Sequence, residues 1–379
     1  MAGCGTARFD VDFSLAVHSR TGKYFIGRDL IEAAGDFIGR TYFWIMPRQD
    51  PPSGLLGSVI GRLQYLQARG QVLGGPLAWL PRRISSRPLL HLDPFTVLTA
   101  RLRRSDAVLC HDVGPLTHPD LFDAEICGAY RKIYDEIAEV GPHMIFVSRS
   151  SQRAFEQALP GARLASSRVI YPAIRADVAA RDTAPVPGID GPFLLSVGSI
   201  GARKNQRLSI AAFGRSGLAA RGVRYVVCGG REPGYEAAAE AAARTPGVLL
   251  LPYITDAQLR WLYGQAQGFV LASLLEGFGV PVAEAISRGL VPAVSRDSVL
   301  HEVAGDGALL VDPEDEADIA AAMVALIDME ATERAARLAQ LREAIQRFTP
   351  ARFKAGWGQA FAEMLDRGRL ALPAAMLAA

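Results

Sequence analysis

Cysteine is scarce in this 379-residue chain, and the four present are scattered at Cys4, Cys110, Cys127 and Cys228. No pair stands at C-x-x-C spacing and no histidines accompany them, so neither a disulfide framework nor a zinc site is indicated. Cys110 and Cys228 sit in apolar runs and read as small buried hydrophobes, a usage that suits a reducing cytosol. Net charge is also nearly absent: +2 for the whole chain, which excludes a general nucleic-acid binder. No apolar run approaches the roughly 18 residues of a membrane-crossing helix. Arg8, Asp10 and Asp12 interrupt the N-terminal region, so no secretory h-region is expected there. There is no low-complexity tract and no repeat of fixed period. The expected location is the cytoplasm.

What is present is a globular composition, 50% hydrophobic and 21% charged, in a chain long enough for two domains. Short apolar strands alternate with helical stretches. Phe9 to Val17, Thr41 to Met46, Ala107 to Cys110 and Met144 to Val147 read as strands, with a helix from about Tyr24 to Ala34. Ala179 to Pro192 is rich in Pro, Gly and acids and reads as a connection. A second series follows: strands at Phe193–Val197, Tyr225–Cys228, Val248–Leu251, Gly268–Leu271, Val291–Val294 and Ala308–Val311, with helices between them. This alternation predicts an α/β fold with parallel sheets. The expected organisation is two Rossmann-like doubly wound domains facing a central cleft: 1–180, a linker at 181–192, 193–355, and a helix at 356–379 that returns to the first domain.

Charge is unevenly spread. Between Phe37 and Arg104 there are ten arginines against Asp50 and Asp93 alone, an excess of eight. An anionic membrane surface or a pyrophosphate-linked acceptor would suit this stretch, and so would a solvated basic face. Within it, Leu55, Leu56, Val59, Ile60, Leu63 and Leu66 fall on one side of a helical wheel drawn over Gly54 to Arg69. Such a helix either lies on a bilayer or packs on the first-domain sheet.

Two stretches carry chemistry. Ser273 to Glu284 runs from the end of a strand through Glu276, Gly277, Phe278 and Gly279 into a helix that opens at Pro281. The glycines let a ligand approach the backbone, and the helix N-terminus offers N–H groups to a phosphate. Glu284 follows one turn into that helix, where a carboxylate can accept hydrogen bonds from sugar hydroxyls. Val197 to Gln206 joins another strand to a helix and sets Arg203 and Lys204 at the expected helix start, where cations oppose the helix dipole and so point to a bound anion. His111-Asp112 ends a strand of the first domain, which is where parallel sheets place ligands. Asp10-Val11-Asp12 spells Asp-x-Asp but lies within the first strand, so no metal site is read there.

The spacing Glu276–x7–Glu284, the loop "SVGSIGARKNQRLSIAAF" and the run "LLLPYITDAQLRWLYGQAQGFVLASLLEGFGVPVAEAISRGLVPAVS" resemble the retaining glycosyltransferases of family 4. The likeness is specific over Phe193 to Leu326, weaker from His111 to Phe155, and poor before that. It implies a GT-B fold with an N-terminal acceptor-binding domain and a C-terminal nucleotide-sugar-binding domain. By this resemblance Arg203 and Lys204 neutralise the donor diphosphate, Glu284 holds the ribose, and Glu276 lies beside the donor sugar. Gly277, Phe278 and Gly279 supply backbone N–H groups, His111 touches the transferred sugar, and Gly22 lies against the diphosphate. Ser199 stands where many members carry Arg, and the loop from Arg20 to Arg28 departs from the family's glycine-rich form.

The resemblance implies hexose transfer with retention, mannose from GDP-mannose being favoured. The acceptor would be a glycan or a polyprenyl-diphosphate-linked oligosaccharide of bacterial exopolysaccharide or lipopolysaccharide synthesis. No cofactor and no metal are expected. The protein could then work peripherally at the inner face of the plasma membrane. Three alternatives stay open: a UDP-sugar-dependent transferase of the same fold, another reaction on that fold such as a nucleotide-sugar epimerase, and a catalytically silent sugar-nucleotide-binding or scaffold protein.

Overall fold

The computed structural model describes residues 8–18, 22–75, 77–174 and 182–370, with side chains to 366. The chain forms two units: Met1–Ala173 joined by Pro350–Ala379, and Ile174–Thr349.

The first unit runs β1 (Phe9–Asp12), α1 (Gly22–Ala33), β2 (Ile38–Phe43), β3 (Met46–Pro47), α2 (Gly54–Leu73), β4 (Leu89–His91), β5 (Ala107–Cys110), α3 (Gly114–Thr117), α4 (Ala124–Val140), β6 (His143–Phe146), α5 (Arg149–Ala158) and β7 (Ser166–Val169). Its sheet has the order β3-β2-β1-β4-β5-β6-β7, parallel except for the β2–β3 hairpin. The second unit runs β8 (Phe193–Val197), α6 (Gln206–Arg215), β9 (Arg224–Cys228), α7 (Tyr235–Arg244), β10 (Val248–Leu251), α8 (Asp256–Gln265), β11 (Gly268–Leu271), α9 (Val280–Ser287), β12 (Pro292–Ser295), α10 (Val299–Ala304), β13 (Leu309–Val311), α11 (Glu316–Asp328) and α12 (Ala331–Ile345). Its sheet order is β10-β9-β8-β11-β12-β13. Each order reverses direction once, between β1 and β4 and between β8 and β11. Open parallel sheets bind ligands beyond the strand carboxyl ends at such a reversal.

Both sheets bury both faces. In the first unit Val108, Cys110, Met144 and Phe146 pack against Ile133, Tyr134 and Ile137 of α4 and Phe155 of α5. The final helix, α13 (Pro350–Leu370), belongs to this unit as well. It seats Phe361 against Phe9 and Phe37, with ring centroids 5.3 and 5.6 Å apart. The connecting stretch belongs to the second unit from residue 182 onward: Ala184 N–H donates to the Ala257 carbonyl, and Arg260 holds Asp182. Residues 179–181 of that stretch, and 20 and 21 of the Arg20 to Arg28 loop, lie outside the described residues.

Several elements differ from the sequence expectation. The first strand stops at Asp12 because that carboxylate accepts the Ser14 N–H and hydroxyl, a local turn that competes with the ladder. Trp44 takes φ 61° and turns the chain into β3, its N–H held by Ser14 Oγ at 2.6 Å and its indole by Gln67. β4 had no counterpart in the reading, yet it lies mid-sheet, fully buried, between β1 and β5. Arg203 and Lys204 occupy a 3-10 turn (Ala202–Lys204) ahead of α6, not its first turn.

The basic stretch is largely absorbed by tertiary pairing. Arg83, 9% exposed, reaches Asp12 at 2.5 Å and stacks on Tyr42. Arg82 pairs with Glu136, Arg87 with Asp10, and Arg103 with Asp106. Asp10 also accepts from Ser85 Oγ and the Arg40 N–H. Asp10 and Asp12 are thus structural counter-ions. Truncating Arg83 strands the Asp12 charge, so Arg83→Met is expected to cost about 3–5 kcal/mol by chemical denaturation.

His91 in β4 is fully buried. Burial, reinforced by the nearby charge of Arg83, pushes its pKa down to about 3 from the usual 6.5. The unfolded chain therefore binds this proton at pH values where the folded one does not, and stability falls as pH drops from about 6.5 toward 3. The slope due to this residue approaches about 1.4 kcal/mol per pH unit. Unfolding free energies of His91→Gln should lose that component of the slope between pH 6 and 4.

Candidate functional site

The second unit collects Arg203, Lys204 and Glu276 where β8 and β11 part. β8 delivers the chain to Gly198, and the 3-10 turn then lifts Arg203 and Lys204 over the strand ends. Gly198 takes φ +149°, and a Cβ there would lie 3.5 Å from Lys204 Cε. Gly229, at the end of β9, passes so close that its Cβ would meet the Gly198 carbonyl oxygen at 2.1 Å. Glycine is required at Gly229 by both its φ of +146° and this approach.

The basic turn is tied to the loop after β11 by backbone. Leu274 N–H donates to the Arg203 carbonyl at 3.0 Å, and the Asn205 amide donates to the Ala272 and Pro313 carbonyls. Asn205 itself sits in the left-handed region at φ 59°. On this frame the Glu276 carboxylate is 6% exposed and makes an ion pair with Lys204. It lies 3.5 Å from Arg203 Nη1 and accepts from Ser273 Oγ at 3.0 Å. Arg203 also donates to the Leu275 carbonyl at 3.2 Å and meets Glu232 at 3.3 Å. Two cations and two carboxylates thus balance in this cluster. Pairs held by several hydrogen bonds on a rigid frame are preorganised for a ligand that exchanges one partner for another.

Gly279 opens α9 at φ +88°, where a Cβ would strike Leu300 at 2.3 Å. Phe278 points into the core, edge-on to Phe348 at 5.0 Å, so its side chain anchors the loop. Glu284 is buried on α9 and accepts from the Tyr263 hydroxyl at 3.0 Å, a bond that orients its carboxylate.

The first unit holds the other candidates. His111 follows β5, is 4% exposed, and donates from Nε2 to the Leu92 carbonyl at 3.0 Å. Burial first, then the positive charge of Lys23, pushes its pKa down to about 4. The ring is therefore neutral at physiological pH, with Nδ1 unprotonated and able to accept a hydrogen bond. Its neighbour Asp112 caps the following turn through the Gly114 N–H, a structural task. Lys23 pairs with Asp93 at 2.9 Å, just after β4, and Asp93 also accepts from Phe95 N–H and Tyr130. Burial alone would raise the Asp93 pKa, but Lys23 outweighs it and holds the carboxyl below its usual range. Gly22 starts α1 with open space where a Cβ would stand.

Sequence reasoning missed Glu232, Ser273, Tyr263, Lys23 and Asp93. Only Glu232 had a local signal, its place in the glycine-flanked loop after β9. The others are brought in by packing. Among the described residues no group of three or more His, Cys, Asp or Glu side chains is placed to hold a metal ion.

The family described as glycosyl transferases group 1 matches residues 184–344. O-antigen chain mannosyltransferase B of Escherichia coli is 34% identical over 128 residues, covering 32% of this chain and 33% of that protein. O-antigen chain mannosyltransferase RfbU of Salmonella typhimurium is 41% identical over 69 residues, 18% of this chain and 20% of that protein. The matched span is thus a third or less of these curated relatives. Among solved structures, trehalose-6-phosphate synthase OtsA superposes with a TM-score of 0.67 at 14% identity, covering 94% of this chain and 99% of that one. An α,α-trehalose-phosphate synthase (UDP-forming) from Burkholderia vietnamiensis gives 0.58 at 15% identity, covering 92% and 83%. At such identities the structural likeness establishes the fold, an α/β fold of the GT-B type with two Rossmann-like units. The match to the group 1 glycosyl transferases covers most of the second unit.

Proposed function

We propose that the protein transfers mannose from GDP-mannose, with retention, to a glycan or polyprenyl-diphosphate-linked oligosaccharide acceptor in bacterial surface-polysaccharide synthesis. The observation that carries transfer is the Arg203–Lys204–Glu276 cluster at the sheet reversal of the second unit. The names of the two curated relatives support mannose. The UDP-forming synthases among the structural relatives keep a UDP-sugar donor as the second reading.

Departure of a nucleoside diphosphate leaves negative charge that must be neutralised in the transition state. Arg203, Lys204 and the N-terminus of α9 serve that charge, with no metal and no cofactor required. Glu276 then turns to the hydroxyls of the donor sugar. Glu284, oriented by Tyr263, holds the ribose. Backbone N–H groups from Gly277 to Gly279 complete the donor contacts. For His111 the family resemblance assigns a contact with the transferred sugar, and for Gly22 one with the diphosphate. The neutral His111 ring suits a hydroxyl donor. The anomeric carbon loses its bond to phosphate oxygen and gains one to the acceptor oxygen on the same face. The acceptor proton passes to the departing phosphate.

Before the donor binds, Glu232 holds Arg203, so the incoming phosphate must compete with a carboxylate. Glu232→Gln should tighten binding of the nucleoside diphosphate by about two- to fivefold, the scale of one partly exposed ion pair. Calorimetric titration reads this directly, and unchanged or weaker binding would remove Glu232 from the donor site. Lys204→Ala and Glu276→Gln should each lower transfer at least about a hundredfold in protein that circular dichroism shows to be folded. Activity within a few-fold of wild type would sink the assignment. Melting temperature should rise most with GDP among GDP, UDP and ADP; a larger rise with UDP favours the second reading. Transfer should persist in excess EDTA, and its loss with recovery on Mg²⁺ would overturn the metal-free mechanism.

A further inference from the structure

Helix α2 packs with an unexpected side inward. Its buried face is small and polar: Gly57, Gly61, Gln64, Gln67 and Ala68, with Ile60 the one large aliphatic. Gln64 bonds the His18 ring at 2.8 Å, and Gln67 accepts the Trp44 indole and donates to the Leu80 and Pro81 carbonyls. Gly57 passes so close to Pro52 that a Cβ would meet its carbonyl oxygen at 2.6 Å. The larger apolar residues are left facing out. Leu55, Val59, Leu66 and Leu73 follow one line along the helix. Leu55 is 83% exposed, and Trp79, in the segment after the helix, is 78% exposed. Eight of the ten exposed large hydrophobic residues among those described fall between Ile45 and Ile84. The segment from Ala78 to Arg83 is stitched to α2 and to the Trp44 turn by Gln71, Gln67 and the Arg83 guanidinium. Helix, segment and turn are therefore held together as neighbouring elements, and they carry most of the exposed large apolar residues among those described.

The charge carried by α2 and the segments beside it is mainly positive; Glu125 of α4 stands next to it, paired with Arg69 and bonded by the Tyr65 hydroxyl. α2 contains Arg62 and Arg69 and no acid, and from Thr41 to Leu92 the only acidic residue is Asp50. Arg82, Arg83 and Arg87 are committed to Glu136, Asp12 and Asp10 and are not the lipid-facing set. Arg48 and Arg62 are exposed and make no ion pair among the described residues. A second copy of the chain is a poor occupant: a two-fold contact through α2 would set arginines against arginines with no acid on either helix to answer them. Among the described residues no helix is long and apolar enough to cross a membrane.

We propose that this face docks on an anionic lipid surface. Leu55, Leu56, Val59 and Trp79 enter the boundary between headgroups and acyl chains, and Arg48 and Arg62 meet the anionic headgroups. The inference goes beyond the donor chemistry and does not depend on it.

The test is co-sedimentation with phosphatidylcholine vesicles, with and without phosphatidylglycerol. Wild type should bind the phosphatidylglycerol vesicles, less as salt rises, and its tryptophan emission should shift to the blue. Trp79→Phe should keep binding and lose the shift. Leu55→Ser/Val59→Ser/Trp79→Ser should bind at least tenfold more weakly at an unchanged melting temperature. Arg62→Glu should lower binding to the anionic vesicles several-fold. Absence of wild-type binding at low salt, or a triple variant that binds as well as wild type, overturns the proposal. So does a wild-type dimer in solution that the triple variant dissociates, which would give the face to a second copy.

Discussion

A charge taken out of water needs an opposite charge beside it, and both units are built around that requirement. In the second unit the carboxylate of Glu276 is almost fully covered and is satisfied by Lys204, Arg203 and Ser273 together. In the first, Asp10, Asp12 and Asp106 lie inside the sheet and draw Arg87, Arg83 and Arg103 onto it. The two arrangements use the same physics for different ends. The first-unit pairs join β1 to the segment before β4 and hold the sheet's centre. The second-unit pairs leave cations at the sheet reversal whose partners a ligand can replace.

That difference follows from exposure and framing. Arg83 is enclosed by Tyr42, Trp44 and Asp12, so exchanging its partner would mean unpacking the unit. Arg203 is about a quarter exposed, and its partner Glu232 stands on a short loop between β9 and α7. The backbone beneath it is fixed by the Leu274 and Asn205 bonds, so side chains can change partners while the loops stay. The two cations and two carboxylates are together close to neutral, and a ligand presenting anionic oxygens would compete with both carboxylates for the cations.

In the first unit, burial sets protonation. His111 is held neutral with its Nε2 proton committed to the Leu92 carbonyl, so its free nitrogen can only accept. Lys23 and Asp93 lie near enough to act on it electrically, each largely cancelling the other's charge. The pair supplies a fixed dipole at the ends of β4 and β5 rather than a net charge.

Local pattern carried much of this. The alternation of short apolar strands and helices determined both doubly wound sheets, and the second series was legible nearly strand by strand because parallel strands buried on both faces read as continuous apolar runs. Glu276, Glu284, Arg203 and Lys204 stood out because strand ends and glycine turns announce themselves locally. Tertiary structure alone decided what depends on distant partners. β4 is three residues long, too short for any periodicity, and is a strand only because β1 and β5 flank it. The excess of arginines between Phe37 and Arg104 looked like a surface field, but the acids that cancel much of it lie outside that stretch, at Asp10, Asp12, Asp106, Glu125 and Glu136. The apolar stripe of α2 was visible on a helical wheel, yet its direction was not. A wheel shows that a helix has two faces; which one the core accepts depends on what the core offers. Here it offers close backbone at Pro52 and polar partners at His18 and Trp44, so glycine and glutamine turn inward and leucine and valine turn out.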